Sequence, residues 1–164
     1  MSILKLRTHF VEKIKAFGNN FHPVLRHPIE ENLSKRTGKS IGRILSIDDN
    51  KICQKINVSQ LQKFGCSVEC VHSARQALEK LTSAYEIIFL DVNLPDCSIE
   101  IFINLIRSDE QNSNQKTPIV LTSAWLNEAY KKNYLALGVN EIHIKPIKEN
   151  DFEEILKRYS EIIN

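Results

Sequence analysis

The stretch RILSIDDNKI, residues 43–52, decides the fold, because its apolar run ends in two adjacent acids. Residues 44–47 are mostly apolar, which is typical of a strand buried in a parallel sheet. Asp48 and Asp49 follow at once. Mutual repulsion and the loss of hydration both oppose two neighbouring carboxylates at the end of a buried strand. A compensating partner must therefore be sought elsewhere in the chain.

Short apolar runs recur along the chain, and segments with helical spacing separate them. Strands are predicted at residues 44–47, 68–71, 87–90, 119–121 and 142–144. Helices are predicted at residues 51–64, 74–81, 99–107, 128–137 and 151–162. The first helix carries apolar residues on one side, namely Ile52, Ile56, Leu61 and Phe64. Five strands, each followed by a helix, predict an α/β fold of the (βα)5 type, a doubly wound five-stranded parallel sheet with helices on both faces.

Polar residues stand where four of these strands end, and ligands of such sheets bind at the carboxyl ends of the strands. They are Asp48 and Asp49, Asp91, Thr122 and Ser123, and Lys145. Three neighbouring carboxylates cannot all stay ionised without a cation, and oxygen ligands favour Mg²⁺. A metal held there leaves positions open for a phosphoryl group. Asp91 is then a candidate nucleophile that forms an acyl-phosphate, with Lys145 and Ser123 contacting phosphoryl oxygens.

The segment at residues 42–159 resembles the receiver domain of two-component response regulators. The matching motifs are ILSIDDN, IIFLDVNLPD, PIVLTSA and IKP, in that order. The resemblance implies a flavodoxin-like sheet with strand order 2-1-3-4-5. It also implies that Asp91 accepts a phosphoryl group from a phosphohistidine of a histidine kinase or a phosphotransfer protein. Asp48, Asp49 and Asp91 would be Mg²⁺ ligands, joined by the backbone carbonyl of Asn93.

The remaining roles also come from the resemblance. Ser123 matches the switch hydroxyl and Lys145 the lysine that reads the phosphoryl charge, after which a cis peptide to Pro146 is expected. Asn93 and Trp125 occupy the two positions that border the phosphoryl group and tune its lifetime. Receivers often have Tyr or Phe three residues before the lysine, as a rotamer switch, but here Ile142 stands at that position. We therefore expect any output to run through loop and helix shifts.

The predicted function is a signalling domain that catalyses only its own phosphorylation and dephosphorylation and then binds a protein target. Two alternatives stay open: a receiver fragment of a hybrid sensor kinase, and a degenerate receiver that acts as a constitutive binding module. A phosphatase with Asp91 as nucleophile is disfavoured. Such enzymes need a second acid two residues later as general acid, and that residue is Asn93, which cannot give a proton.

The N-terminal part of the chain differs in charge from the remainder. Residues 1–40 hold eight Lys/Arg and three acids, a balance of +5 in a chain whose net charge is +2, so residues 41–164 carry −3. An amphipathic pattern of Ile3, Leu6, Phe10, Ile14 and Phe17 predicts a basic helix, and a polar linker follows it. We divide the chain into this extension, residues 1–40, and a receiver domain, residues 41–164. Contact of the extension with protein is favoured over contact with a membrane.

Composition places the chain among soluble globular proteins, with 42% hydrophobic and 26% charged residues. No apolar run approaches the roughly 20 residues of a membrane span, and the start MSILKLRTHF has no signal-peptide core. The four cysteines lack the spacing of a zinc site and predict reduced thiols. No nucleic-acid-binding module is recognised. We therefore expect a cytoplasmic protein.

Overall fold

A computed structural model describes residues 42–125 and 127–159. The predicted N-terminal helix and linker at residues 1–40 lie outside the described residues, and so does the end of the last predicted helix. The strands are β1 Arg43–Ile47, β2 Ser67–Val71, β3 Ile87–Asp91, β4 Ile119–Ser123 and β5 Glu141–Ile144. The helices are α1 Lys51–Lys63, α2 Ala74–Lys80, α3 Ile99–Ser108, α4 Glu128–Ala136 and α5 Glu149–Tyr159. The (βα)5 pattern predicted from the apolar runs is confirmed.

The strands form one parallel sheet in the order β2-β1-β3-β4-β5. This is the flavodoxin-like order that the family resemblance implies. Helices α2, α3 and α4 pack on one face, where Phe102, Ile103 and Ile106 bury against Ile88, Leu90 and Leu121. Helices α1 and α5 pack on the other face, where Phe152 lies 5.5 Å from Phe89 between ring centroids. Because β1, β3 and β4 are covered on both sides, their sequences are almost continuously apolar.

The helix ends explain why the chain turns where it does. Asn50 caps α1 by accepting hydrogen bonds from the backbone N–H groups of Ile52 and Cys53. Ser73 caps α2 in the same way through the N–H of Gln76. Gly65 and Gly138 follow α1 and α4 with φ values of 80° and 96°, a region that residues with a side chain rarely adopt. The caps fix where α1 and α2 begin, and the glycines turn the chain from the ends of α1 and α4 toward the next strand.

Helix α1 does not bury the apolar side that its sequence suggests. Ile52 and Ile56 are 69% and 41% exposed, whereas Gln54 and Asn57 are buried with Leu61. The amide nitrogen of Gln54 donates to the backbone carbonyls of Asp48, at 2.6 Å, and Val71, at 2.8 Å. These two buried hydrogen bonds tie the helix to the ends of β1 and β2, and they fix its rotation against the apolar pattern.

The described helices also bear on membrane association. Within residues 42–125 and 127–159, each helix falls short of the length and apolar character that a membrane span requires.

Candidate functional site

The carboxyl ends of β1 and β3 bring three acids together at one edge of the sheet. Single carboxylate oxygens of Asp48, Asp49 and Asp91 all lie within 4.8 Å of one another. Asp48 and Asp91 are 1% and 4% exposed, whereas Asp49 is exposed. The juxtaposition follows from parallel strand order alone, since neighbouring strands end at the same edge. All three donors are carboxylate oxygens, a set that suits a hard divalent cation.

Lys145 is the compensating partner of the two buried acids. Its ammonium nitrogen lies 2.8 Å from Oδ2 of Asp48 and 2.8 Å from Oδ2 of Asp91. The residue follows β5, and the peptide between Lys145 and Pro146 is cis, as the resemblance implies. From the sequence alone, a metal ion is expected to offset the repulsion between the carboxylates. The structure shows that a lysine from the far side of the sheet already supplies one positive charge.

The surroundings of Asp91 and Lys145 raise the pKa of both groups. Burial is the largest influence on the pKa of Asp91 and raises it, and the negative charge of Asp48 acts in the same direction. The Lys145 ammonium and the N–H of Asn93 lower the pKa, but the net change is upward. Burial alone would lower the pKa of Lys145, but its hydrogen bonds to Asp48 and Asp91 outweigh burial and raise it. The ammonium is therefore charged at neutral pH and is held between the two acids.

Backbone hydrogen bonds orient the acids differently. Asp48 accepts from the N–H of Asn50 at 2.8 Å, and Asp91 accepts from the N–H of Asn93 at 3.3 Å. Among the described residues, Asp49 has no hydrogen-bond or ion-pair partner for its carboxylate. Asp49 therefore faces solvent with its oxygens free, whereas its two buried neighbours are already fixed in position.

The predicted switch hydroxyl is bound to the chain that follows it. Ser123 is buried; its Oγ donates to the backbone carbonyl of Trp125 and accepts from the Trp125 N–H at 3.2 Å. Thr122, the neighbouring hydroxyl, contacts the carbonyl of Leu90 at 3.4 Å within the sheet. Ser123 thus lies at the strand end with the other site residues, and its hydroxyl holds the turn between β4 and α4.

A row of aromatic rings continues from this turn, and sequence reasoning missed it. Trp125 is 66% exposed, and its ring meets Tyr130 edge-on at 6.3 Å between centroids. Tyr130 stacks on Tyr134 at 6.3 Å, four residues further along α4. The i, i+4 spacing of the two tyrosines was the available signal. Ile142, at the position where many receivers have an aromatic residue, packs partly buried against the core beneath this helix.

Comparison with known proteins agrees with this geometry. Residues 44–157 match the model of the response regulator receiver domain. A hybrid signal transduction histidine kinase of Dictyostelium discoideum is 33% identical over 125 residues, which are 74% of this chain and 11% of that protein. The autoinducer 2 sensor kinase/phosphatase LuxQ of Vibrio vulnificus is 32% identical over 118 residues, 71% of this chain and 13% of that protein. The chain thus spans only a small part of these relatives' length.

Solved structures give the same result. The chemotaxis response regulator CheY4 of Vibrio cholerae superposes with a TM-score of 0.65 at 26% identity, covering 73% of this chain and 98% of that one. The receiver domain of a sensor histidine kinase from Pseudomonas aeruginosa gives the same values, and in that structure a magnesium ion is coordinated in the active-site cleft. With its sheet order, its acidic site and its lysine, the chain belongs to the response regulator receiver family.

Proposed function

We propose that this chain accepts a phosphoryl group on Asp91 from a phosphohistidine, in a reaction that depends on Mg²⁺, and then signals through protein contacts. The observation that carries the proposal is the ammonium of Lys145, 2.8 Å from both Asp48 and Asp91, beside the open carboxylate of Asp49. The phosphohistidine belongs to a histidine kinase or a phosphotransfer protein. The kinase relatives support this choice of donor.

The residues present fit a magnesium ion. Three carboxylates are close enough to share one cation, and Asp49 is free to bind it without breaking another contact. The magnesium in the Pseudomonas receiver supports the same metal here. Asp48, Asp49 and Asp91 would hold it, together with the backbone carbonyl of Asn93. When bound, the ion supplies charge neutralisation for the phosphoryl oxygens and for the acids.

The chain's own residues would perform the transfer by position and charge. A carboxylate oxygen of Asp91 attacks phosphorus; the P–N bond to the histidine ring breaks, and the ring nitrogen keeps the electron pair. Asp91 is fixed for this attack by the N–H of Asn93. Lys145 is already at the acceptor oxygen and exchanges its contact with Asp91 for one with a phosphoryl oxygen. No proton transfer is required at Asp91, so positioning and electrostatics dominate.

Output would begin at Ser123. The hydroxyl of Ser123 has one hydrogen to donate, and it donates it to the carbonyl of Trp125. To donate to a phosphoryl oxygen it must break that hydrogen bond, and this loosens the turn that leads into α4. With Ile142 in place of a switch aromatic, the movement of this turn is the signal that the protein target reads. Asn93 and Trp125, two residues beyond Asp91 and Ser123, flank the phosphoryl group and set its lifetime.

Phosphoryl uptake is the experiment that tests this function. The protein is incubated with acetyl phosphate and Mg²⁺, and intact mass is measured after rapid quenching. A gain of one phosphoryl group is expected, and chelation of the metal with EDTA should prevent it. If the wild type gains no phosphoryl group from acetyl phosphate or from a phosphorylated kinase, it is a constitutive binding module instead.

Thermal unfolding tests the metal site separately. Mg²⁺ well above its dissociation constant should raise the melting temperature by about 2–6 °C, because it binds only the folded site. Asp49→Ala should remove this response and leave the metal-free protein folded, since Asp49 has no partner among the described residues. Asp109→Ala, an acid in the loop after α3, is the matched control and should keep the response. An unchanged Mg²⁺ response in Asp49→Ala would exclude Asp49 as a ligand.

The receiver can serve alone or as one module of a hybrid sensor kinase, and the kinase relatives favour the second arrangement as the main alternative. In either arrangement we place the site in the cytoplasm, where phosphohistidine donors are made from ATP.

We propose no nucleic-acid partner. The basic segment at residues 1–40, outside the described residues, is proposed to contact protein in preference to membrane.

A further inference from the structure

The loop between β3 and α3 is joined to the start of α2 by the side chain of Asp96. Its carboxylate accepts hydrogen bonds from the backbone N–H groups of Ala74, at 2.9 Å, and Arg75, at 3.0 Å. Both groups lie in the first turn of α2, where N–H groups have no partner within the helix. We propose that Asp96 is a positioning residue, which holds the loop so that the backbone carbonyl of Asn93 can bind Mg²⁺. This role rests on the proposed function, in which that carbonyl is a magnesium ligand.

The β3–α3 loop has few other contacts that could fix its direction. Sheet pairing ends with the N–H of Val92, which donates to a carbonyl of β4 at 3.0 Å. In the part of the chain that the structure describes, residues 94–97 take part in no backbone-to-backbone hydrogen bond. Leu94 and Cys97 pack partly buried against the core, but apolar packing has no preferred direction. The two hydrogen bonds of Asp96 therefore orient the loop.

Asn93 is the residue for which this orientation matters. Its N–H donates to Oδ1 of Asp91 at 3.3 Å, which is long for a hydrogen bond of this kind. A long hydrogen bond constrains the peptide weakly, and Asn93 itself is exposed. A second fixed point is needed if its carbonyl is to keep one direction, because groups that support a metal ligand set the ligand's orientation. Asp96, three residues later, provides that point.

Helix α2 is a suitable anchor for the loop. Ala74 and Ala77 are fully buried against the sheet, so the first turn of the helix is held in place. A carboxylate at this end is also favoured by the helix dipole. Ser73 caps the same turn locally, accepting from the N–H of Gln76 at 3.3 Å. The helix thus has two caps, one from its own segment and one from the acceptor loop, and only the second connects it to the site.

The first test measures magnesium affinity without any phosphoryl donor. The Mg²⁺ dissociation constant of the full chain is obtained from the rise in melting temperature with Mg²⁺ concentration. Asp96→Ala should weaken Mg²⁺ binding about three- to ten-fold, the effect of one hydrogen bond. Asp96→Asn keeps one acceptor oxygen, so its dissociation constant should lie between those of Asp96→Ala and the wild type.

Ser73→Ala is the matched control for this test. It removes the local cap of the same helix, so it should also lower the melting temperature of the metal-free protein. Its Mg²⁺ dissociation constant should equal that of the wild type, because the acceptor loop keeps its anchor. A dissociation constant unchanged in Asp96→Ala would overturn the proposal. Equal weakening in Ser73→Ala and Asp96→Ala would also overturn it, since Asp96 would then act only through the stability of α2.

The second test follows the loop itself in the metal-free protein. Amide hydrogen exchange at Asn93 and Leu94 should be at least about three-fold faster in Asp96→Ala than in Ser73→Ala, because only the first variant releases the loop. The measurement involves neither a metal nor a phosphoryl donor, so failure of the proposed function would not alter it. Equal exchange rates in the two variants would show that the Asp96 carboxylate does not hold the loop.

Discussion

Replacing Asp91 with Asn is expected to abolish phosphoryl uptake and, at the same time, to stabilise the metal-free protein. The neutral amide cannot form an acyl-phosphate, so uptake from acetyl phosphate should fall below detection. Asp91 is almost fully buried, and burial raises its pKa despite the contact with Lys145. Holding this group ionised at pH 7 therefore opposes folding. We expect the free energy of unfolding of Asp91→Asn to rise above that of the wild type.

The pH dependence of the stability gained in Asp91→Asn tests whether the raised pKa of Asp91 is its cause. An acid whose pKa is raised in the folded state favours folding when protonated, and this contribution is lost as pH rises through the folded pKa. The advantage of Asp91→Asn should therefore be full at pH 7 and vanish as pH falls toward the ordinary value of 3.8. Urea unfolding at several pH values measures it, with Asp109→Asn as a control acid in the loop after α3. A destabilised Asp91→Asn at pH 7 would contradict this explanation.

Replacing Lys145 with Ala should have the opposite effect on stability. The change leaves Asp48 and Asp91 buried and close together without their shared positive charge. Breaking a buried ion pair in this way is expected to lower the free energy of unfolding by about 3 kcal/mol at pH 7. Protonation of the acids at lower pH should recover part of the loss. Mg²⁺ should recover more stability in this variant than in the wild type, because it replaces the missing cation.

The control for this prediction is Lys148→Ala. Lys148 is an exposed lysine three residues later in the same loop, so its removal changes net charge equally without breaking the pair. Urea unfolding with and without Mg²⁺ measures both variants. Similar losses of stability in the two variants, or a loss in Lys145→Ala that Mg²⁺ does not reduce, would show that Lys145 is not the counter-ion of the acids.

The fold was predictable because its central strands are buried on both faces. This burial makes residues 44–47, 87–90 and 119–121 apolar without alternation, and the polar residues after them then mark one edge of the sheet. Asp48, Asp91, Ser123 and Lys145 were placed together by topology alone. The predicted ends of two strands were too early, because backbone pairing continues one or two residues beyond the apolar runs. Strand β3 includes Asp91, and strand β4 includes Thr122 and Ser123.

Side-chain contacts between distant segments were not predictable. The rotation of α1 depends on Gln54 bonding to the carbonyl of Val71, a contact between residues 17 apart in sequence. Ile52 and Ile56 stay exposed on the other side of the helix, and nothing in the local pattern signals this contact. The role of Lys145 as the counter-ion of Asp48 spans 97 residues. The bond of Ser123 to the backbone of Trp125 depends on the conformation of the turn after β4, which the residue types there do not specify.

The most direct measurement identifies the residue that carries the phosphoryl group. The protein is phosphorylated with acetyl phosphate and Mg²⁺ and treated with sodium borohydride, which reduces an acyl-phosphate of aspartate to homoserine. Peptide mass spectrometry then locates the homoserine. We predict homoserine at position 91 and at no other aspartate, with none formed when Mg²⁺ is omitted. Homoserine at another aspartate, or phosphoryl uptake with position 91 unmodified, would contradict the assignment of Asp91 as the acceptor.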